Sequence, residues 1–223
     1  MASAGKKKRE SAAERYQRMR RIEDELHEQG YLYVAGIDEA GRGPLAGPVY
    51  AAAVILDPEE EIIGLNDSKK LSEKKREALA VTIRAKALAW AICAQGPERI
   101  DAVNILEATK AAMTEAVKHL KLRPDFLLTD AVKLPAFPPE QQRSLIQGDA
   151  RCNAVAAASV LAKTARDEEM RRLDGVYPGY GFARHKGYGT KAHYEALDKM
   201  GPCPIHRQSF LRSWYARKEN ERG

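Results

Sequence analysis

Four acidic side chains stand where apolar strands should end: the pair Asp38-Glu39 after residues 33–37, Asp130 after residues 125–129, and Asp149 just beyond residues 144–146. Carboxylates gathered at such strand ends repel one another and lose hydration, so bringing them together is costly unless a cation neutralises them. Hard oxygen ligands of this kind suit Mg²⁺ or Mn²⁺. Four of them suffice for two divalent ions, and a pair of ions about 3.5–4 Å apart is a known device for in-line displacement at phosphorus. Each acid taken alone also has an ordinary reading, opening a loop or capping a helix, as Asp149 would for the helix that follows it.

The turn Gly41-Arg42-Gly43-Pro44 follows the first pair of acids. Gly41 and Gly43 with Gly47 have the outline of a dinucleotide phosphate loop, but the last spacing is one residue too long and a strand, not a helix, follows, which excludes that reading. Glycines let backbone approach a ligand closely, and an arginine between them can face a phosphate or a sugar. The alternative is a tight turn with a solvated arginine. Ser159, Lys163 and Asp167 recur every four residues and share one helix face, where Lys163 and Asp167 can pair, so Asp167 reads as structural. His185, His193 and His206 have no compact metal-ligand spacing and read as loop or capping residues.

The elements that must position these residues alternate between strand and helix, the pattern of a layered α/β domain. An amphipathic helix over residues 10–29 carries Tyr16, Met19, Ile22 and Leu26 at spacings of three and four. Strands follow at 33–37 and 49–56 with no helix between them, which predicts an antiparallel hairpin. Ser72 caps a helix to about residue 85, residues 88–94 form a third strand, and Asn104 with Glu107 opens a second core helix. Strands at 125–129 and 144–146, a long helix at 154–173, a glycine-rich stretch and two terminal helices at 190–200 and 209–220 complete the chain.

The 223 residues fit one compact domain. Residues 1–30 read as a basic helical extension and 31–223 as the catalytic domain with its C-terminal helices. The formal charge of +6 looks like a nucleic-acid footprint, but residues 1–21 hold eight Lys or Arg against two acids and so carry the whole excess. Net charge alone therefore says little, and local clusters have to carry the case. No apolar run approaches the roughly 20 residues of a membrane span, and no apolar stretch follows the basic start as in a signal peptide, so a cytoplasmic protein is expected. Cys93, Cys152 and Cys203 are distant from one another and lack a CxxC, which favours reduced structural thiols over a disulfide framework or zinc knuckle.

Residues 36–49, Gly-Ile-Asp-Glu-Ala-Gly-Arg-Gly-Pro-Leu-Ala-Gly-Pro-Val, closely resemble the signature of the ribonuclease HII family. The resemblance continues through Asp67-Ser68-Lys69-Lys70-Leu71, Leu128-Thr129-Asp130, Gly148-Asp149, the run 156–163, the segment 180–190 and the segment 204–210. It implies an RNase H-like fold, a five-stranded mixed sheet flanked by helices with additional helices at the C-terminus. It also implies a metal-dependent endonuclease that hydrolyses the RNA strand of RNA–DNA hybrids and cuts 5′ to single ribonucleotides in duplex DNA, leaving 5′-phosphate and 3′-OH ends.

Carried over residue by residue, the resemblance makes Asp38, Glu39, Asp130 and Asp149 the catalytic metal ligands, the same four grouped above on physical grounds. It assigns Gly41, Arg42 and Gly43 to the ribose 2′-OH and Tyr188 to stacking on the following deoxyribose. Ser68 and Lys69 match a segment that contacts the nucleic-acid backbone, where a lysine ahead of a helix serves as a point charge. Arg184, His185 and Lys186, interleaved with Tyr180, Phe182 and Tyr188, suit phosphates and sugar faces. Two positions depart from the common wording of the family: Ala131 stands where many members have glycine, and Gln147 where lysine is frequent. The partners implied are RNA–DNA hybrid and ribonucleotide-containing duplex DNA, with a monomeric enzyme and no membrane.

Two rivals remain on sequence grounds. A non-catalytic nucleic-acid-binding protein would use the basic residues alone, but four acids facing a polyanion argue against it unless metal is present. The second is an RNase H-like nuclease of different substrate class, including the type-3 ribonucleases H, which typically carry an extra substrate-binding domain ahead of the catalytic one, for which the thirty residues before Tyr31 are too few.

Overall fold

The computed structural model describes residues 10–221, so the basic stretch 6–9 lies outside it. Five strands make one mixed sheet: β1 (Val34–Ala40), β2 (Val49–Ile55), β3 (Ala89–Gln95), β4 (Phe126–Asp130) and β5 (Gln142–Leu145), in the order β3-β2-β1-β4-β5. β2 pairs antiparallel with both β1 and β3, while β1–β4 and β4–β5 are parallel. The described helices are α1 (Ala12–Glu28), α2 (Glu73–Lys86), α3 (Pro97–Val103), α4 (Ile105–Lys118), α5 (Asn153–Val176), α6 (Phe182–His185), α7 (Lys191–Met200) and α8 (Arg212–Asn220). The fold is the RNase H-like arrangement that the family resemblance implies, within the layered α/β pattern and the hairpin of the first two strands that the strand and helix pattern predicts. Two short helices, α3 and α6, lie in segments too brief for periodicity to reveal. None of the described helices is long and apolar enough to cross a membrane.

Local chemistry explains the main elements. Ser11 closes a capping box at the start of α1: its hydroxyl accepts from the Glu14 N–H at 3.2 Å while the Glu14 carboxylate accepts from the Ser11 N–H at 2.8 Å. The stripe Tyr16, Met19 and Leu26 then packs into the main core against α5 and the sheet. By strand alternation, Ala52 and Val54 face α5, and Ala35, Ile37, Ala51, Ala53 and Ile55 face α4. A Cβ at Gly36 would lie 2.1 Å from the Ala154 carbonyl carbon, so α5 rests directly on the β1 backbone. This close seating fixes the long helix relative to the strand that carries the first two acids.

The register does the rest. Ile37 pairs with Thr129 in the parallel β1–β4 ladder, which sets Asp38 beside Asp130 one residue further on. β1 continues past residue 37 because β2 keeps pairing with it, Asp38 with Ala52 and Glu39 with Ala51. Both acids therefore belong to the strand instead of the turn after it. Beyond the sheet, α6, α7 and the segment around Cys203 enclose a smaller apolar cluster with Ala46 and Met170, and Leu45 packs with Leu197, Leu211 and Trp214.

Candidate active site

Carboxylate oxygens of Asp38, Asp130 and Asp149 lie within 4.8 Å of one another at the rim where β1 and β4 end. Asp38 and Asp149 are buried and Asp130 is half-buried. One oxygen of Asp38 accepts the Glu39 N–H at 2.7 Å, and one of Asp130 accepts the Gly148 N–H at 2.9 Å. Asp149 sits in a 3-10 turn, Gly148–Ala150, and α5 starts later, with Cys152 at its N-cap and no side-chain cap bond. The capping reading of Asp149 is thereby excluded.

Glu39 leaves β1 beside this group. Its Oε1 takes a 3.4 Å contact from Arg42 Nη1, and its Oε2 is buried with no hydrogen-bond partner among the described residues. Burial, and next the charge of Glu39, hold the Asp38 carboxyl well above the usual carboxylate range. Burial raises Glu39 as well, against the opposing pull of Arg42. Asp149 is pushed up to about 6 by burial and by the charges of Asp67 and Asp130. Burial works against the Lys69 ammonium, yet the surrounding acids Asp149, Asp67, Asp38 and Asp130 together raise it. A cluster of acids this short of positive charge, with an orphaned oxygen at its edge, is the environment that hard divalent cations fit.

A cleft of about 260 Å³ adjoins the acids, lined by Glu39, the Gly41–Gly43 turn, Ser68, Lys69, Ser159, Lys163 and Tyr188. Ser159 donates to Ser68 Oγ at 2.8 Å, which ties the Ser68–Lys70 turn to α5. Lys163 pairs with Asp167 at 2.5 Å, and Asp167 also accepts from Arg76 at 3.1 Å, so this acid is structural, as its spacing implied.

The Gly41–Gly43 turn is held from behind. Arg207, fully buried, donates from Nη2 to the Gly41 carbonyl at 2.6 Å, from Nη1 to the Arg42 carbonyl at 2.9 Å and from Nε to the Gly47 carbonyl at 3.0 Å. Arg166, equally buried, donates to the carbonyls of Pro48 and Ala46. Gly41 has φ +99°, and a Cβ there would lie 2.0 Å from Arg166 Nε, so only glycine fits on both counts. The Arg166 guanidinium lies 6.0 Å from the centre of the Tyr188 ring, and a methyl added at Gly43 would stand 3.7 Å from Tyr188 Cε1. Gly43 and the exposed Tyr188 ring thus face each other across the cleft.

The remaining predicted site residues divide. Arg184 is exposed on α6. Lys186 is half-buried, donates to the Ala183 carbonyl at 2.6 Å and lies 3.6 Å from Glu73. His185 is turned inward, with its ring nitrogens engaged by Tyr180 and Gly187. Sequence reasoning assigned no role to Asp67, Arg166 or Arg207, although Asp67 and Arg207 lie inside the motif segments and Arg166 adjoins Asp167 on α5. It also did not bring the three histidines together, and the structure does.

The ribonuclease HII family model matches residues 35–216. The chain is similar to the ribonuclease HII of Vibrio vulnificus strain YJ016, 55% identical over 182 residues, covering 82% of this chain and 87% of that one. It is likewise similar to the ribonuclease HII of Desulfitobacterium hafniense strain Y51, 54% identical over 198 residues, covering 89% of this chain and 76% of that one. Among solved structures, the ribonuclease H2 from Pyrococcus horikoshii OT3 superposes with a TM-score of 0.69 at 26% identity, covering 86% of this chain and 98% of that one.

Proposed function

The chain belongs to the ribonuclease HII family of metal-dependent endoribonucleases, which act on RNA–DNA hybrids, and on that footing we propose that it also cuts 5′ to single ribonucleotides embedded in duplex DNA. The observation that carries this reading is the placement of the three convergent carboxylates beside a cleft with the Gly41–Gly43 turn on one wall and Tyr188 on the other. Asp38, Glu39, Asp130 and Asp149 would hold two ions, Mg²⁺ or Mn²⁺. When bound, such ions stabilise charge on the phosphoryl oxygens and lower the pKa of the attacking water.

The chain's own residues select the bond. Because the carbonyls of Gly41 and Arg42 point inward to Arg207, and a trans peptide sets its N–H opposite its C=O, the N–H groups of Arg42 and Gly43 point the other way. Those two donors are disposed to read a ribose 2′-OH. Across the cleft, the Tyr188 face would lie against the next sugar, where a 2′-OH would crowd it. A site that requires one 2′-OH and disfavours the following one recognises an RNA-to-DNA junction. Lys69 and the exposed Arg184 supply point charges for the backbone, Ser68 supports the Lys69 turn, and the inward-turned His185 and Lys186 shape the loop that carries Tyr188. Water is the nucleophile, with no covalent enzyme intermediate, and the ends are 5′-phosphate and 3′-OH.

The test is a labelled duplex containing one ribonucleotide, incubated with Mg²⁺, Mn²⁺ or chelator. A single incision on the 5′ side of the ribonucleotide, abolished by chelator, is expected. Cutting confined to long RNA runs would remove the junction reading while leaving the hybrid activity intact.

A further inference from the structure

His185, His193 and His206 come from three separate segments, α6, α7 and the stretch after α7, yet they pack as one buried group around Phe182. The His185 and His193 rings stack at 4.5 Å with 15° between their planes. Their hydrogen bonds run in one direction. The Cys203 backbone N–H donates to His206 Nδ1 at 2.9 Å, closer than the 3.2 Å from that nitrogen to the Cys203 carbonyl, so Nδ1 is bare, the Cys203 thiol at 3.2 Å can donate to it as well, and the proton of His206 sits on Nε2. His206 Nε2 lies 3.0 Å from His193 Nε2, which must accept, and the proton of His193 is left on Nδ1, 2.9 Å from the Tyr188 carbonyl. The Gly187 N–H likewise donates to His185 Nδ1 at 3.2 Å, leaving His185 Nε2–H to donate to the Tyr180 carbonyl at 2.7 Å.

Both neighbours of the loop tip are thereby fixed. We propose that His193, oriented by His206, is a positioning residue for substrate selection: its Nδ1–H clamps the Tyr188 carbonyl and so sets the Tyr188 ring against Gly43. The inference rests on the reading that Tyr188 contacts the sugar after the ribonucleotide. Neutral rings are required, since a second proton on either partner would set two N–H groups against each other. Burial meets that requirement by holding both His193 and His206 at about 4. A metal-site role lacks ligands, because among the described residues no third Cys, His, Asp or Glu atom completes a cluster there. The Leu45 N–H donates to the Gly187 carbonyl at 2.8 Å, so the clamp also couples the Tyr188 loop to the segment that follows the Gly41–Gly43 turn.

The experiment has two arms. Nitrogen-15 correlation spectra of the wild-type imidazoles should show His193 protonated on Nδ1 and His206 on Nε2, and the opposite tautomers would overturn the proposal without any mutation. Kinetics on the single-ribonucleotide duplex then compare His193→Leu, His193→Asn, Tyr188→Ala and the Tyr188→Ala/His193→Leu double variant. His193→Leu should raise KM about tenfold with kcat within about twofold, on the scale of a small misplacement of a binding group. His193→Asn, which can still donate from the Nδ1 position, should recover most of that loss. The double variant should be no worse than Tyr188→Ala alone. An impaired Tyr188→Ala with a wild-type His193→Leu, a KM-neutral loss of kcat, or independent effects that multiply in the double variant would overturn the clamp alone. A wild-type Tyr188→Ala would instead overturn the reading beneath it.

Discussion

The acidic rim and the Gly41–Gly43 turn border the same cleft and both hold buried charge, but they differ in how that charge is met. Asp38, Asp130 and Asp149 face one another with oxygens inside 4.8 Å, and of the four acids only Glu39 has a basic partner, Arg42 at 3.4 Å, among the described residues. Arg166 and Arg207 are equally buried and have no carboxylate partner among the described residues, yet five neutral carbonyls accept hydrogen bonds from them. Burial lowers both arginines, Arg207 to about 9, which still leaves Arg207 cationic at neutral pH. The lesson is a division of labour: one wall is left electrostatically short, as the proposed cation site requires, and the other is geometrically over-determined, as the proposed reading of a sugar requires.

The sharpest way to break this contrast is at the acids. Asp130→Asn keeps an oxygen to accept the Gly148 N–H while deleting the charge, so the fold should survive. Metal-dependent cleavage should fall by on the order of a thousandfold, the scale of removing a charge-stabilising group from a preorganised site, while duplex binding is largely spared. A variant that cuts at the wild-type rate, measured in single turnover, removes Asp130 from the metal site.

On the other wall the same kind of deletion should strike stability. Arg207→Leu strips three carbonyls of their buried donor, at about 1–3 kcal/mol each in the unrelieved case, and removes an unpaired buried charge, which offsets part of the loss. A net cost of about 2–4 kcal/mol, or roughly 5–15 °C in Tm, is expected for a chain of this size. An unchanged melting curve would mean that the turn holds itself.

Between these lies a prediction about pH. Folding raises the pKa of Asp149 to about 6 and lifts Asp38 and Glu39 as well, so the folded protein binds protons that the unfolded chain has released. In chelator, their contribution favours the fold most below the ordinary carboxylate range, near pH 4, and is lost as pH rises through about 6. Adding Mn²⁺ should therefore raise Tm more at pH 7 than at pH 4, by binding the ionised acids. Because buried His193 and His206, held at about 4, push metal-free stability the opposite way over that window, the check is the Tm difference between Mn²⁺ and chelator: a difference that does not widen from pH 4 to 7 would contradict the crowding of the acids.

Much of the acidic wall was legible in the chain because its signal is local. Apolar strand stretches running into Asp38 and Asp130 declare a cost that convergence on a cation relieves, and the family resemblance picked out the same acids together with Glu39 and with Asp149, which stands in the turn after the more polar β5. The exact setting of the acids was less visible. That Asp38 and Glu39 lie within β1 depends on the partner strand continuing to Ala51 and Ala52, which is a property of the pair and not of either segment. The opposite wall was legible at its face and hidden at its back. Gly41, Gly43 and Tyr188 stand in recognisable motifs, but Arg166 and Arg207 reach the turn from more than a hundred residues away, and His185, His193 and His206 meet only when α6, α7 and the following stretch fold together. Spacing along the chain carries no trace of that meeting.

The smallest effect is expected at Ala131. This residue follows Asp130 with φ +53°, and its N–H donates to the Leu145 carbonyl at 3.0 Å, so the left-handed turn is held by the strand next to it. A side-chain-bearing residue there costs about 1–2 kcal/mol, whereas glycine carries its own entropic penalty of about 0.5–1 kcal/mol. Ala131→Gly should therefore stabilise the protein by about 0.5–1 kcal/mol, a rise of roughly 1–4 °C in Tm, with cleavage unchanged. Since the turn lies directly behind one acid, the variant sharpens the contrast between the walls. A gain in stability without a change in rate would show that the position of Asp130 is set by the β1–β4 register and the Gly148 N–H, whereas an altered rate would show that strain in the turn helps to aim its carboxylate.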